Sequence, residues 1–155
     1  MSTKFQVCPE YIKQLRLKAN CIKKAPSKPN NYIYTDEEFQ VILGSILGDG
    51  HLSRPNKNGG VTLTIKHSIK QLDYLKYKNS LLNQNANNVR IYDRTDIRLK
   101  NIEYQECSFS TKSTLSLLDT YTNWYPNGKE IYKEDLYKIS GLGLAIWYMD
   151  DGSKM

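Results

Sequence analysis

Two stretches of the chain repeat apolar residues every three or four positions, which is the period of an amphipathic helix. In the first stretch, Thr35 is followed three residues on by Glu38, a capping box that starts a helix. The apolar residues that follow at helical spacing are Phe39, Ile42, Leu43, Ile46 and Leu47. The pattern predicts a helix from about 36 to 49, and GLGLAIWYMDDG predicts an apolar helix at about 141 to 151.

Between these helices, apolar and polar residues alternate with the period of a half-buried strand. The alternation covers VTLTIKHS at 61 to 68 and later VRIYDR, DIRLK and ECSFSTK. An amphipathic helix is predicted near 70 to 84 and a further helix near 113 to 125, with His51 in a turn and His67 in a strand. This order predicts an α+β fold with a largely antiparallel sheet.

The charge composition of the chain indicates a polyanionic partner. The chain has 155 residues, enough for one compact domain, with a net charge of +6 and a pI near 9.1. Basic residues concentrate at 1 to 34, a predicted basic extension and linker, and at 51 to 112. The three cysteines are widely spaced and suggest neither a disulfide framework nor a zinc module. No apolar run is long enough for a membrane span, so we expect an intracellular protein with no membrane partner.

The two apolar helices end in closely similar sequences. ILGSILGDG at 42 to 50 and LAIWYMDDG at 144 to 152 both close with an aspartate and a glycine, Asp49-Gly50 and Asp151-Gly152. An acid at a helix C-terminus is disfavoured by roughly 0.3–1 kcal/mol because the helix dipole is already negative there. Two such helices side by side would bring the carboxylates together, and these need a divalent cation or a shared proton.

Small residues predict that the two helices pack closely. Gly44 and Gly48 lie four residues apart in the first helix, as Gly141 and Ala145 do in the second. Such stripes let helix backbones approach one another. We therefore predict that these residues form the helix interface.

The two motifs resemble those of the LAGLIDADG homing endonucleases, in the branch that carries two motifs per chain and often sits inside self-splicing introns. The resemblance runs from about Thr35 to the end. It implies a first α-β-β-α-β-β-α half at 35 to 127, whose antiparallel sheet forms a saddle on double-stranded DNA. Residues 128 to 155 would be the loop and motif helix of a second half. Since only four residues follow Asp151, that half is expected to be truncated, or completed by a second chain.

The resemblance also implies the residues of a nuclease site. Asp49 and Asp151 would bind Mg²⁺ or Mn²⁺ and activate water, with the carbonyls of Gly48 and Asp150 as further ligands. Lys129 would position or polarise the attacking water. The implied reaction is hydrolysis of phosphodiester bonds in both strands of a specific DNA site.

Strand and loop residues implied to face DNA are basic or hydroxylated, which suits phosphates and base edges. They are Arg54, Lys57, Thr62, Thr64, Lys66, Arg90, Arg94, Arg98, Lys100, Ser108, Ser110 and Lys112.

Two other functions stay open. Relatives of such enzymes include maturases that bind their own intron RNA and regulators that bind DNA without cutting it. The presence of both acids favours the endonuclease, whereas the incomplete second half favours an isolated chain that is inactive or depends on a partner. A phage or bacterial cytoplasm and an organelle fit the sequence equally.

Overall fold

The structure is a computed structural model that describes residues 28–82, 84–96 and 102–151. Its helices are α1 (Asp36–Leu47), α2 (Leu72–Leu81), α3 (Leu118–Trp124), α4 (Lys133–Leu136) and α5 (Gly141–Asp151). Its strands are β1 (His51–Ser53), β2 (Thr62–Ser68), β3 (Arg90–Asp96) and β4 (Ile102–Ser110). A short 3-10 helix, Ile69–Gln71, leads into α2. None of the described helices is long and apolar enough to cross a bilayer.

Helix α1 begins at the predicted capping box. The Thr35 hydroxyl accepts from the Glu38 amide at 3.2 Å, and the Glu38 carboxylate accepts from the Thr35 amide at 2.8 Å. These bonds satisfy amides that the first turn leaves without partners. The buried face of the helix carries Val41, Ile42, Leu43 and Ile46. The apolar residues that predicted this helix include most of those that form its buried face, and the helix lies at the predicted position.

The four strands form one antiparallel sheet in the order β1-β2-β4-β3. One face packs on α1 and α2 through apolar side chains that alternate along the strands, namely Leu52, Leu63, Ile65, Cys107 and Phe109. From α1 to α3 the main elements follow the order α-β-β-α-β-β-α. The predicted α+β fold is therefore confirmed. His51, predicted in a turn, instead begins the edge strand β1.

Residues 28–34 join the described end of the basic extension to the first half. The Asn30 side-chain amide donates to Asn85 at 2.9 Å, and the Tyr32 hydroxyl donates to Glu38 at 2.6 Å. Asn30 also bridges to Thr114, next to the end of the sheet. The rest of the predicted extension, residues 1–27, lies outside the described residues.

The two motif helices, α1 and α5, pack directly on each other. A side chain at Gly44 would collide with the backbone oxygen of Gly143 and with Ile146, and one at Gly48 would collide with Asp150. The predicted glycines of α1 therefore lie in the interface. Those predicted in α5 do not, because nothing lies within 4 Å of a side chain added at Gly141 and because Ala145 is exposed.

The side chain of Gln40 links the stretch before α5 to α1. Gln40 donates to the carbonyl of Lys138 at 2.9 Å and accepts from the amide of Ser140 at 2.7 Å. Both polar ends of the side chain thus bind backbone on either side of residue 139. The interface is shifted by two residues from the prediction, from Gly141 to Gly143, and Gln40 fixes the entry to the helix at this register.

We expect Gly44→Ala to lower the free energy of unfolding by about 1–3 kcal/mol, since the added methyl must push α5 away from α1. The matched control is Gly141→Ala, which meets open space and should be neutral or stabilising by up to about 1 kcal/mol. Urea denaturation of both variants measures the difference. Equal effects at the two glycines would contradict the observed interface.

Candidate metal and nucleic-acid site

Asp49 lies just beyond the end of α1, at the edge of the helix pair. The Gly48 amide donates to Gly44 and ends the helix, and the Gly50 amide turns back to the Ser45 carbonyl at 2.6 Å. A side chain at Gly50 would strike that same carbonyl. This turn leaves the side chain of Asp49 46% exposed.

Asp150, in the last turn of α5, points into the first half. Its side chain is fully buried, and Gly48 leaves the space through which it passes. The Lys78 ammonium donates to both carboxylate oxygens, at 2.8 and 3.1 Å, and the Tyr74 hydroxyl donates to one of them at 2.9 Å. Burial raises the pKa of Tyr74. Burial lowers the pKa of Lys78, and Asp150 opposes that shift.

His67 lies between the two acids. Its Nδ1 is 3.2 Å from Asp49 Oδ2, and its Nε2 is 3.6 Å from Asp150 Oδ1. The side chain is buried, and neither nitrogen has a hydrogen-bond partner among the described residues. Burial, followed by the nearby Lys78 charge, lowers the pKa of the imidazole, against the opposing effect of the two carboxylates. The imidazole is therefore neutral near pH 7.

Asp151 and Lys129, both predicted in the site, lie on its exposed side. Asp151 accepts from the Trp147 indole at 3.0 Å, and Lys129 donates to the Gly48 carbonyl at 3.1 Å. Within the described residues, the group that offers metal ligands within 4.8 Å of one another is Asp49, His67 and Asp150, without Asp151. The structure thus brings Asp49 together with Asp150, and it places an ammonium on the carbonyl of Gly48.

The residues present fit a divalent cation at Asp49. Its carboxylate is half-exposed, and the buried partner it faces is a neutral imidazole with unpartnered nitrogens. Carboxylates are the ligands that Mg²⁺ and Mn²⁺ favour, and Mn²⁺ also accepts imidazole. Asp150 differs because Lys78 and Tyr74 already bind its oxygens.

The sheet face opposite the core carries the predicted polar residues. Thr64 pairs with Ser110, and Ser108 has Lys66 on one side and Arg90 on the other. Paired residues point to the same face of a sheet, so these side chains share one surface. The basic side chains on it, Lys66, Arg90 and Arg94, are exposed. Thr62, Thr64 and Ser110 are half-buried, and Ser108 is buried.

A cavity of about 270 Å³ connects this face to Asp49. It is lined by Asp49, Lys66, His67, Ser68, Gln71, Tyr104 and Glu106. Glu106 lies between two cations of the face, 3.9 Å from the Lys66 ammonium and 3.5 Å from the Arg94 guanidinium. The Arg94 guanidinium also lies 5.2 Å from the Tyr92 ring centre. Neither Tyr92 nor Glu106 is among the predicted contact residues, although both follow the polar phase of their strands.

The remaining predicted DNA contacts fall in other positions. Arg54 donates to the Gly59 carbonyl at 3.0 Å and to the Lys57 carbonyl, so its guanidinium closes its own loop. Lys112 donates to the Gln84 carbonyl at 3.0 Å. Arg98 and Lys100 lie outside the described residues.

Sequence reasoning missed the buried part of the site. His67 continues the apolar phase of Leu63 and Ile65 in β2, and Lys78 lies on the inward face of α2 with Leu75. A polar residue in an apolar phase is the signal that could have revealed both. Its significance depends on Asp150, which is 72 residues from Lys78 in the chain.

Comparison with known proteins identifies the family. The sequence profile described as the LAGLIDADG DNA endonuclease family matches residues 39–155. The chain belongs to this family, as the two motifs predict. The homing endonuclease I-WcaI, solved bound to its DNA recognition sequence, shares the fold with a TM-score of 0.69 and 19% identity. That alignment covers 97% of this chain and 62% of I-WcaI.

Curated relatives are longer than this chain. A protein RecA of Mycolicibacterium flavescens is 37% identical over 122 residues, which are 77% of this chain and 26% of that protein. The cytochrome b mRNA maturase bI2 of Debaryomyces hansenii is 27% identical over 87% of this chain and 53% of the maturase. The maturase bI2 of Saccharomyces cerevisiae is 31% identical, over 76% of this chain and 30% of that protein. The chain therefore spans about a quarter to a half of the length of these relatives.

We expect the free energy of unfolding to rise as the pH increases toward 6.5, in part because of His67. Its folded pKa lies below the value of 6.5 for the unfolded chain, so the unfolded state binds more protons in the interval between the two. The contribution is at most about 1.4 kcal/mol per pH unit. It is lost as the pH falls toward the folded pKa.

Urea denaturation at several pH values checks this expectation. His67→Gln should reduce the slope of unfolding free energy against pH, and His51→Gln, at an exposed position of β1, serves as the matched control. The same slope in wild type and His67→Gln would show that the buried imidazole does not remain neutral.

Proposed function

We propose that this chain is a divalent-metal-dependent DNA endonuclease that binds double-stranded DNA on the polar face of its sheet. The observation that carries the proposal is the pairing of α1 and α5, which brings their acidic ends together beside that face. Membership of the LAGLIDADG DNA endonuclease family supports the same function. I-WcaI, which shares the fold, is a homing endonuclease solved with its DNA recognition sequence.

Asp49 and Asp151 are the proposed metal-binding acids. Both carboxylates are accessible to solvent, in contrast to that of Asp150. A bound Mg²⁺ or Mn²⁺ would supply charge stabilisation for phosphodiester hydrolysis. The Trp147 indole holds Asp151 in one orientation, and Lys129 places a positive charge at the end of α1.

The positive charges would orient the substrate. Lys66, Arg90 and Arg94 offer their cations to backbone phosphates, and the hydroxyls of Thr62, Thr64 and Ser110 can bind phosphates or base edges. Because the cavity between Asp49 and Lys66 opens beside this surface, a phosphate held there would lie next to Asp49.

A second candidate function is RNA binding as a maturase. The observation that favours it is the similarity to the cytochrome b mRNA maturases bI2, which covers 87% of this chain in the D. hansenii protein. A basic sheet face can bind either nucleic acid. Two measurements distinguish these functions. One is whether the chain cleaves nucleic acid, which requires the acids, and the other is whether it prefers duplex DNA or structured RNA.

We expect Asp49→Asn to reduce cleavage of bound DNA by about 1,000-fold while leaving DNA affinity nearly unchanged, because the metal contribution of several kcal/mol is lost from the reaction. The substrate is a duplex selected by the wild-type chain from a randomised library, and cleavage is measured with Mg²⁺ or Mn²⁺. The control is Asp73→Asn, a fully exposed acid on α2. A wild-type chain that selects a duplex but never cuts or nicks it would contradict the endonuclease proposal.

We expect the double variant Lys66→Ala and Arg90→Ala to bind DNA with a weaker salt dependence. Each phosphate contact contributes about 0.9 to the slope of log affinity against log salt, so the slope should fall by about 1.8. Lys76→Ala, on exposed α2, is the control. Fluorescence anisotropy at several salt concentrations measures the slopes. An unchanged slope in the double variant would show that phosphates bind elsewhere.

A further inference from the structure

The buried cluster beneath Asp49 holds a cation of its own. Asp150 and Lys78 both have fully buried side chains, and the ammonium lies 2.8 and 3.1 Å from the two carboxylate oxygens. A buried carboxylate is costly unless a cation or a proton neutralises it. Asp150 belongs to a cluster with Asp49 and His67. The Lys78 ammonium neutralises the charge of Asp150, so this buried carboxylate needs no metal ion.

The aromatic neighbour of Lys78 fixes its position. The Tyr74 hydroxyl donates to the same Asp150 oxygen at 2.9 Å, and the ammonium lies 4.5 Å from the centre of the Tyr74 ring. The Tyr74 hydroxyl oxygen also lies 3.2 Å from the Ile146 carbonyl oxygen of α5, so its single hydrogen is shared between two acceptors of that helix. Tyr74 and Lys78, both on α2, therefore hold the last turns of α5 against α2.

We propose that the Lys78 ammonium is the resident cation of this cluster, so that a divalent ion reaches the cluster through Asp49 and not through Asp150. Lys78 thereby acts as a positioning residue. It keeps Asp150 turned inward, which fixes α5 against α2 and leaves Asp151, the next residue, on the exposed side.

Removing the ammonium should convert the cluster into a metal site. In Lys78→Met the side chain becomes one atom shorter and keeps an unbranched apolar stem, but Asp150 loses its cation. The remaining groups are two carboxylates and an imidazole whose nitrogens have no partner among the described residues. Mn²⁺ accepts both oxygen and imidazole ligands, whereas Mg²⁺ prefers oxygen alone.

The experiment measures the thermal midpoint of unfolding against MnCl₂ and, separately, against MgCl₂, with no nucleic acid present. We expect Lys78→Met to bind Mn²⁺ at least about tenfold more tightly than wild type, and its midpoint to rise roughly 3–6 °C further at saturating Mn²⁺. Mg²⁺ should give a smaller gain. The control is Lys76→Met on the same helix, where the lysine side chain is 58% exposed. Its thermal midpoint should respond to Mn²⁺ as that of wild type does.

A double variant, Lys78→Met with Asp150→Asn, tests whether the gain depends on the carboxylate. It replaces the buried ion pair by neutral residues of similar size, an exchange that proteins often tolerate. It should fold and show no more response to Mn²⁺ than wild type. If Lys78→Met unfolds without metal, recovery of the folded state on adding Mn²⁺ supports the proposal.

Three results would overturn the proposal. They are a Lys78→Met variant that responds to Mn²⁺ as wild type does, one that stays unfolded at every Mn²⁺ concentration, and a double variant that gains as much affinity as the single one. Since the assay contains no DNA, each of these results is independent of the outcome of the cleavage experiment.

Discussion

The close approach of α1 and α5 at Gly48 is the constraint on which the site depends. Because residue 48 has no side chain, the carboxylate of Asp150 passes between the helices and reaches Lys78 and Tyr74 in the first half. A buried acid needs such partners, so the contact between two helices also determines what α2 must carry. The helix interface and the polar cluster are therefore one arrangement.

The acids that end the two motifs divide into a buried and an exposed group. Asp150 is bonded inside the protein, whereas Asp49 and Asp151 are exposed, and Asp49 shares a cavity with Lys66 of the sheet. His67 separates the two groups, with one nitrogen toward each carboxylate. In the proposed function, Asp150 therefore has a structural role and the adjacent Asp151 a metal-binding one.

Local signals in the sequence predicted most of the fold. The capping box at Thr35, the alternation through β2 and the repeated motif ends each depend on residues close together in the chain. The register of α5 could not be predicted in the same way, because one residue turns a helix by about 100°, so the choice between Gly141 and Gly143 depends on the crossing of the helices. Likewise, His67 and Lys78 show in the sequence only as polar residues in an apolar phase, and their role depends on Asp150, which is distant in the chain.

The space that Gly48 leaves for Asp150 also limits which substitutions this sequence can accept. Any larger residue at position 48 would strike Asp150, and a shorter residue at position 150 would leave Lys78 buried without its counter-charge. Each of these changes by itself is costly, so the aspartate and the lysine can be exchanged only as a pair. Divergent copies of this gene are expected to keep glycine at position 48 and either to keep both members of the ion pair or to replace both.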